Sequence, residues 1–173
     1  MKLAYQNMRA FWMDAKNMQS KKGLIEIGPD KVVAAAVEMA FADGAELKYV
    51  LIATNSLGDS SLYFENNSRS GLGGMIGGHG NEKLQQAAAH MLAYAAKLTP
   101  QMTKLPAGTE VPSPAQAGQV CLLAVSQTAV FYKQVPEEAL RQTEHPFYPM
   151  FAYSQQVIGL FKESSASDPS ARA

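Results

Sequence analysis

Gln119-Val120-Cys121-Leu122-Leu123-Ala124-Val125-Ser126 carries six consecutive apolar residues between polar neighbours. A run this short and apolar on both faces reads as a strand covered on two sides. Directly after it, Thr128 to Lys133 returns through Ala129, Val130, Phe131 and Tyr132, which predicts a β-hairpin. The same chemistry occurs earlier. Tyr49-Val50-Leu51-Ile52, inside Lys48 to Thr54, is rich in β-formers, and Asn55-Ser56-Leu57-Gly58-Asp59 is turn chemistry. Ser60 to Glu65 then comes back through Leu62, Tyr63 and Phe64. Two hairpins interleaved with amphipathic helices predict an α+β fold: a mainly antiparallel sheet with helices packed on it.

The helices follow from spacing. Over 3–19, Ala4, Met8, Phe11, Ala15 and Met18 recur at intervals of four and three, widened by Tyr5 and Trp12, with Lys2, Gln6, Arg9 and Lys16 opposite. Leu24-Ile25-Glu26-Ile27 is expected as a short edge strand. Gly28-Pro29-Asp30 reads as the start of a second helix, with Val32, Val33, Ala36, Val37 and Ala40 at helical spacing and Gly44 as its stop. Asn81 is the expected cap of a helix whose buried stripe is Leu84, Ala87, Ala88, Met91, Ala95 and Leu98, closed by Pro100. Residues 99–117, with four prolines, form a long connection in which Thr109-Glu110-Val111 is the expected edge strand. Pro136 starts a short turn over Glu137 to Arg141. A last helix, roughly 149–162, has the stripe Met150, Ser154, Val157, Ile158 and Phe161. The chain thus divides into an N-terminal amphipathic helix over 1–22, one α+β domain over 23–163 and a disordered tail over 164–173.

Composition narrows the function. The 173 residues are 47% hydrophobic and 17% charged, with 15 basic and 15 acidic residues, so the net charge is zero. A nucleic-acid binder normally shows a basic excess, so nucleic acid is not an expected partner. One cysteine excludes an intrachain disulfide framework and a multi-cysteine zinc site. No apolar run reaches the roughly 18–20 residues of a membrane span. Gln6, Asn7, Arg9 and Asp14 interrupt any secretory signal, which makes the cytoplasm the expected location.

The most distinctive stretch is Asn66 to Gly80, with glycines at 71, 73, 74, 77, 78 and 80. Read as a loop before a helix, it has three possible uses: a flexible loop, a protein interface, or a cradle of backbone N–H groups for a phosphate or other anion. In the third case the ligand-binding residues are Arg69, Gly71, Gly73, Gly74, Gly77, Gly78, His79 and Asn81. No Gly-Lys-Ser/Thr ending makes it a P-loop. An interface would use Leu72, Met75 and Ile76 from this stretch, with Met8, Phe11 and Trp12 from the methionine-rich first helix. That helix otherwise packs on its own sheet or lies at a membrane surface.

His79, His90 and His145 show no ligand spacing, and no metal is expected. Cys121, in its apolar strand, is an inert small hydrophobe. No nucleophile, base and oxyanion donor can be assembled, so no catalytic residue is assigned and the cofactor stays unknown.

The order of elements over 29–162, and the segment from Val120 to Ile158 in particular, resembles the profilin-like architecture and, more loosely, its roadblock and longin modules. The resemblance implies a non-catalytic dimer or scaffold, sometimes a small-molecule sensor. It carries no functional residue across. The reading expected from the sequence is a self-associating interaction or regulatory module, most simply a homodimer with room for a protein partner. The alternative is a small-molecule or nucleotide-binding protein using the 70–80 loop.

Overall fold

A computed structural model describes residues 1–18, 30–78 and 80–167. The expected strand at Leu24–Ile27, the Gly28-Pro29 start, His79 and the tail beyond Ser167 lie outside the described residues.

The strands are β1 (Ala34–Asp43), β2 (Glu46–Asn55), β3 (Ser60–Glu65), β4 (Leu72–Gly77), β5 (Thr103–Pro106), β6 (Gln119–Val125) and β7 (Ala129–Pro136). The helices are α1 (Leu3–Met13), α2 (Glu82–Leu98), α3 (Glu137–Leu140) and α4 (Tyr148–Ser167), and a 3-10 turn follows α1 at Ala15–Met18. All seven strands join one antiparallel sheet in the order β4-β3-β2-β1-β6-β7-β5. The α+β class and both hairpins, β2–β3 and β6–β7, are as the sequence implies.

The central strand is the main correction. Val32 to Ala40 forms no helix: most of it is β1, paired along its length with β2 and over Ala34–Met39 with β6. Ala34, Ala36 and Ala40 enter the core on one face, and Ala35, Val37 and Met39 the core on the other. A run apolar on both faces satisfies helical and strand spacing alike, and the two strands flanking it decide the outcome. Gly44 serves as the hairpin turn to β2, with φ +61°. The helix that the profilin-like element order requires before the first hairpin is therefore a strand.

Two layers cover the sheet. On one face α2 and α4 pack together over Val37, Leu122 and Ile52; the α2 stripe from Leu84 to Leu98 is buried as its spacing predicts. The Asn81 side chain caps this helix by accepting the Leu84 N–H at 3.1 Å. In α4, Met150, Ser154, Val157 and Phe161 are buried, and the helix continues through Ser167, so Ser164 to Ser167 belong to it rather than to a tail. On the other face lie α1 and the 107–114 segment, over Tyr49, Leu51 and Leu123. The outermost strand on this side of the chain is β5 at Thr103–Pro106, not Thr109–Val111; Val111 instead buries its side chain in the core beneath α1.

Candidate functional site

The glycine-rich stretch is not a loop through its length. Leu72–Gly77 is β4, the outermost strand, paired with β3 from Glu65↔Leu72 to Ser60↔Gly77. The glycines have packing reasons. A Cβ at Gly73 would fall on the Phe64 ring, and one at Gly74 would stand 2.7 Å from the Leu62 carbonyl oxygen and 2.9 Å from the Tyr63 ring. Gly77 faces Phe161 and Leu84 at 3.0 and 3.1 Å, and Gly78, at φ +129°, backs onto the Gly58 carbonyl. Gly71 accommodates the Lys2 side chain. Arg69 is exposed in the preceding turn. Asn81 spends its side-chain oxygen on the helix cap. The glycines at 71, 73, 74, 77 and 78 thus meet the fold's own side chains and backbone.

Two backbone hydrogen bonds fix the phase of this edge. Asn66 N–H donates to the Gly71 carbonyl at 3.2 Å, and Asn55 N–H to the Asp59 carbonyl at 3.1 Å. In an antiparallel ladder bonded pairs alternate with unbonded ones. The first bond makes Phe64–Gly73, Leu62–Met75 and Ser60–Gly77 the bonded pairs of β3 and β4. The second independently assigns Ser61 and Tyr63 to β2. Leu72, Gly74 and Ile76 therefore direct their backbone N–H and C=O outward, away from the sheet. Ile76 is 77% exposed, whereas Leu72 and Met75 are half-buried.

The sheet's two edges differ. β5 spans only Thr103–Pro106, carries Lys104 and ends in a proline, all of which discourage pairing. β4 has no charge, no proline and no bulge.

The remaining interface residues expected from the sequence lie on α1. Its buried line is Tyr5, Arg9 and Trp12, one residue, about 100°, round the helix from the Ala4–Met8–Phe11 line that the spacing suggests and that Tyr5 and Trp12 were expected only to widen. Trp12 belongs to the core, Met8 packs against it half-buried, and Phe11 is exposed. The Trp12 indole N–H has no partner among the described residues.

Sequence reasoning missed a buried ionic cluster. Glu38, on β1, is fully buried and accepts from Arg9 Nε at 2.9 and 3.0 Å and from Tyr5 Oη at 3.0 Å. Arg9 also donates Nη2–H to the Pro112 carbonyl at 3.2 Å, tying α1 to the 107–114 segment. Burial raises the Glu38 carboxyl pKa against the opposing pull of Arg9, Tyr5 and Ser113. Burial, followed by the Glu38 charge, raises Tyr5 well above its ordinary value and pushes the Cys121 thiol up to about 12. No solvent reaches Glu38, so it meets no substrate; the cluster fastens α1 to the sheet. The signal in the sequence was Glu38 itself, a single charge within the apolar run from Val32 to Ala42.

An open cleft of about 1210 Å³ lies between α1 and residues 107–113. Its charged lining balances Arg9 and Lys16 against Asp14 and Glu110, which favours no one sign of ligand. His90 is exposed and stacks on Tyr153 at 4.8 Å, and His145 Nδ1 accepts the Phe147 N–H at 3.3 Å. Among the described residues no three potential metal ligands cluster, and no helix is long and apolar enough to cross a membrane. No known family model matches this chain, and no curated protein matches it in sequence.

Proposed function

We propose that this chain is a non-enzymatic, self-associating interaction module whose contact surface is the outer edge of β4. The observation that carries this reading is the outward-facing backbone at Gly74 and Ile76, beside the exposed Ile76 side chain; at Leu72 the Ser70 hydroxyl already donates to the carbonyl at 3.1 Å and accepts the N–H at 3.5 Å. Such an edge is a template for another strand, and natural proteins blunt it unless pairing is its use. The second copy of the chain is the partner always present with it, and two-fold dimers are the commonest assembly. A contact of one short strand is small beside the roughly 1,200–2,000 Å² of a stable interface, so the dimer should form reversibly with concentration. The free, buried thiol of Cys121 suits a reducing compartment, and the cytoplasm is the setting we propose.

Sedimentation velocity across micromolar to several hundred micromolar concentrations should show a monomer–dimer equilibrium. Ile76→Pro should hold the protein monomeric throughout while barely moving its melting temperature. The lost N–H points outward, so the ladder to β3 stays intact. A wild-type chain that sediments only as monomer, or an Ile76→Pro variant that dimerises like wild type, would overturn the proposal.

A further inference from the structure

Resting on that self-association, we infer where the two copies meet: their β4 strands pair antiparallel across a two-fold axis at Met75, so that Met75 stands opposite the partner's Met75. Both ends of the edge are closed. At Leu72 the Ser70 hydroxyl engages the N–H and the C=O. At Gly78 the carbonyl accepts the Asn81 N–H at 3.3 Å, and the backbone leaves the strand at φ +129°. Between these ends the outward-facing residues are Gly74 and Ile76. A bonded antiparallel pair takes one such residue from each strand and carries two hydrogen bonds. An axis at Gly74 pairs Gly74 with the partner's Gly74 and sends Ile76 to the partner's occupied Leu72. An axis at Ile76 pairs Ile76 with the partner's Ile76 and sends Gly74 to the partner's occupied Gly78. Either leaves one full pair. An axis at Met75 pairs Gly74 with the partner's Ile76, and Ile76 with the partner's Gly74, so both open residues of each strand are used.

The side chains on both faces support that axis, because directly opposed residues share a face of the sheet. On the α2 side Val37, Ile52, Leu62 and Met75 stand opposite one another in turn on β1, β2, β3 and β4. The first three are buried, and the row ends at the edge on half-buried Met75. The Met75 axis continues this apolar row into its own copy. Met75 meets the partner's Met75 in an unbonded pair, the closer kind, with Cα atoms about 4.5 Å apart. On the α1 side Ile76, 77% exposed, stands opposite the partner's Gly74. The Tyr63 ring leans over that glycine, its Cδ1 2.9 Å from where a Cβ would be. Ile76 therefore comes beside the partner's Tyr63, a β-branched residue against an aromatic one, as stabilises sheet pairs. β4 carries no charge, so no like charges oppose each other along it. Both copies spend the same edge. The edges that remain are the two β5 strands, which Lys104 and Pro106 guard, so the assembly closes as a pair.

Cross-linking reads the axis directly. Met75→Cys is oxidised mildly at a concentration where wild type is dimeric. Its two thiols sit on Cα atoms within the roughly 4.4–6.8 Å that a disulfide spans, so a covalent dimer should appear on a non-reducing gel. Ile76→Cys treated alike should give none, because position 76 lies two residues, about 7 Å along the strand, from the partner's 76, besides the gap between strands. Native Cys121 is fully buried, and oxidised wild type is its control. A second set of variants needs no disulfide. Met75→Lys and Met75→Glu should each sediment as monomer, and their equimolar mixture as dimer. Only a residue opposite its own copy meets like charge alone and opposite charge in the mixture. Circular dichroism confirms that each variant is folded. No covalent dimer from Met75→Cys, or a mixture that stays monomeric, overturns the axis while leaving self-association standing. Wild-type protein that is monomeric by sedimentation overturns both.

Discussion

Glu38→Ala should lower the free energy of unfolding by about 3–5 kcal/mol, as removal of one partner from a buried ion pair generally does. The carboxylate is the acceptor for both Arg9 and Tyr5, so its loss strands a guanidinium and a phenol beneath α1. Arg9→Met should cost a similar amount at neutral pH, because the remaining carboxylate sits in the middle strand with no solvent to take its charge. Combining Arg9→Met with Glu38→Gln should recover most of the loss, since the amide still accepts from Tyr5 and no charge remains buried. Urea titration of wild type, Arg9→Met, Glu38→Gln and the double variant provides the double-mutant cycle. Strictly additive losses would show that the pair does not act as a unit.

The same pair sets a pH dependence whose sign is unusual for a glutamate in an ion pair. Burial holds the Glu38 carboxyl above its ordinary range, so the folded chain binds that proton more tightly than the unfolded chain. Its stabilising contribution is complete below the ordinary glutamate value and is lost as pH climbs through the folded-state value. Glu46, lowered by its hydrogen bond and charge pairing with Lys48, and Glu144, lowered by backbone and Thr143 hydrogen bonds, act in the opposite sense. Subtracting the stability profile of Glu38→Gln from that of wild type removes these shared contributions. The difference should decline as pH rises from the ordinary glutamate range upward. A difference that rises with pH would mean that Arg9, and not burial, governs the carboxyl.

Elements with a one-sided stripe or a hairpin return were legible from the sequence. α2 could be read because its six stripe residues fall on one helical face and Asn81 supplies the cap. β6 and β7 could be read because an apolar run and its return bracket a turn. β1 could not, because an alanine-rich stretch buried on both faces fits either period, and its neighbours β2 and β6 are what decide it. β4 escaped for a different reason. Strand alternation is written in side chains, and Leu-Gly-Gly-Met-Ile-Gly has too few to show it. Leu72, Met75 and Ile76 were expected at an interface only as one of three possible uses of the stretch. The Arg9–Glu38 pair joins positions 29 residues apart, and neither residue has meaning until α1 is laid across β1.

The glycines offer the sharpest contrast between a packing role and a ligand-cradling one. Gly78→Ala should cost about 2–5 kcal/mol with no ligand in solution, combining overpacking with strain at a positive φ. The added methyl group meets the Gly58 carbonyl oxygen and stands 3.0 Å from the Asp59 Cα, and neither is the end of a flexible side chain that can swing aside. Gly80→Ala is the control. It too has positive φ, +77°, but nothing lies within 4 Å of its new Cβ, so only the conformational cost of about 1–2 kcal/mol applies. Gly73→Ala should fall between them, because the Phe64 ring it strikes can rotate, although Asn66 Nδ2 waits at 2.9 Å. Were these glycines there to let a ligand approach the backbone, ligand-free Gly73→Ala, which has no positive φ to strain, would melt like wild type, and Gly78→Ala would lose no more than Gly80→Ala. A clear order of Gly78, Gly73 and Gly80 in lost stability instead follows from what each Cβ would touch, and it makes the glycine-rich stretch a segment fitted to its own fold.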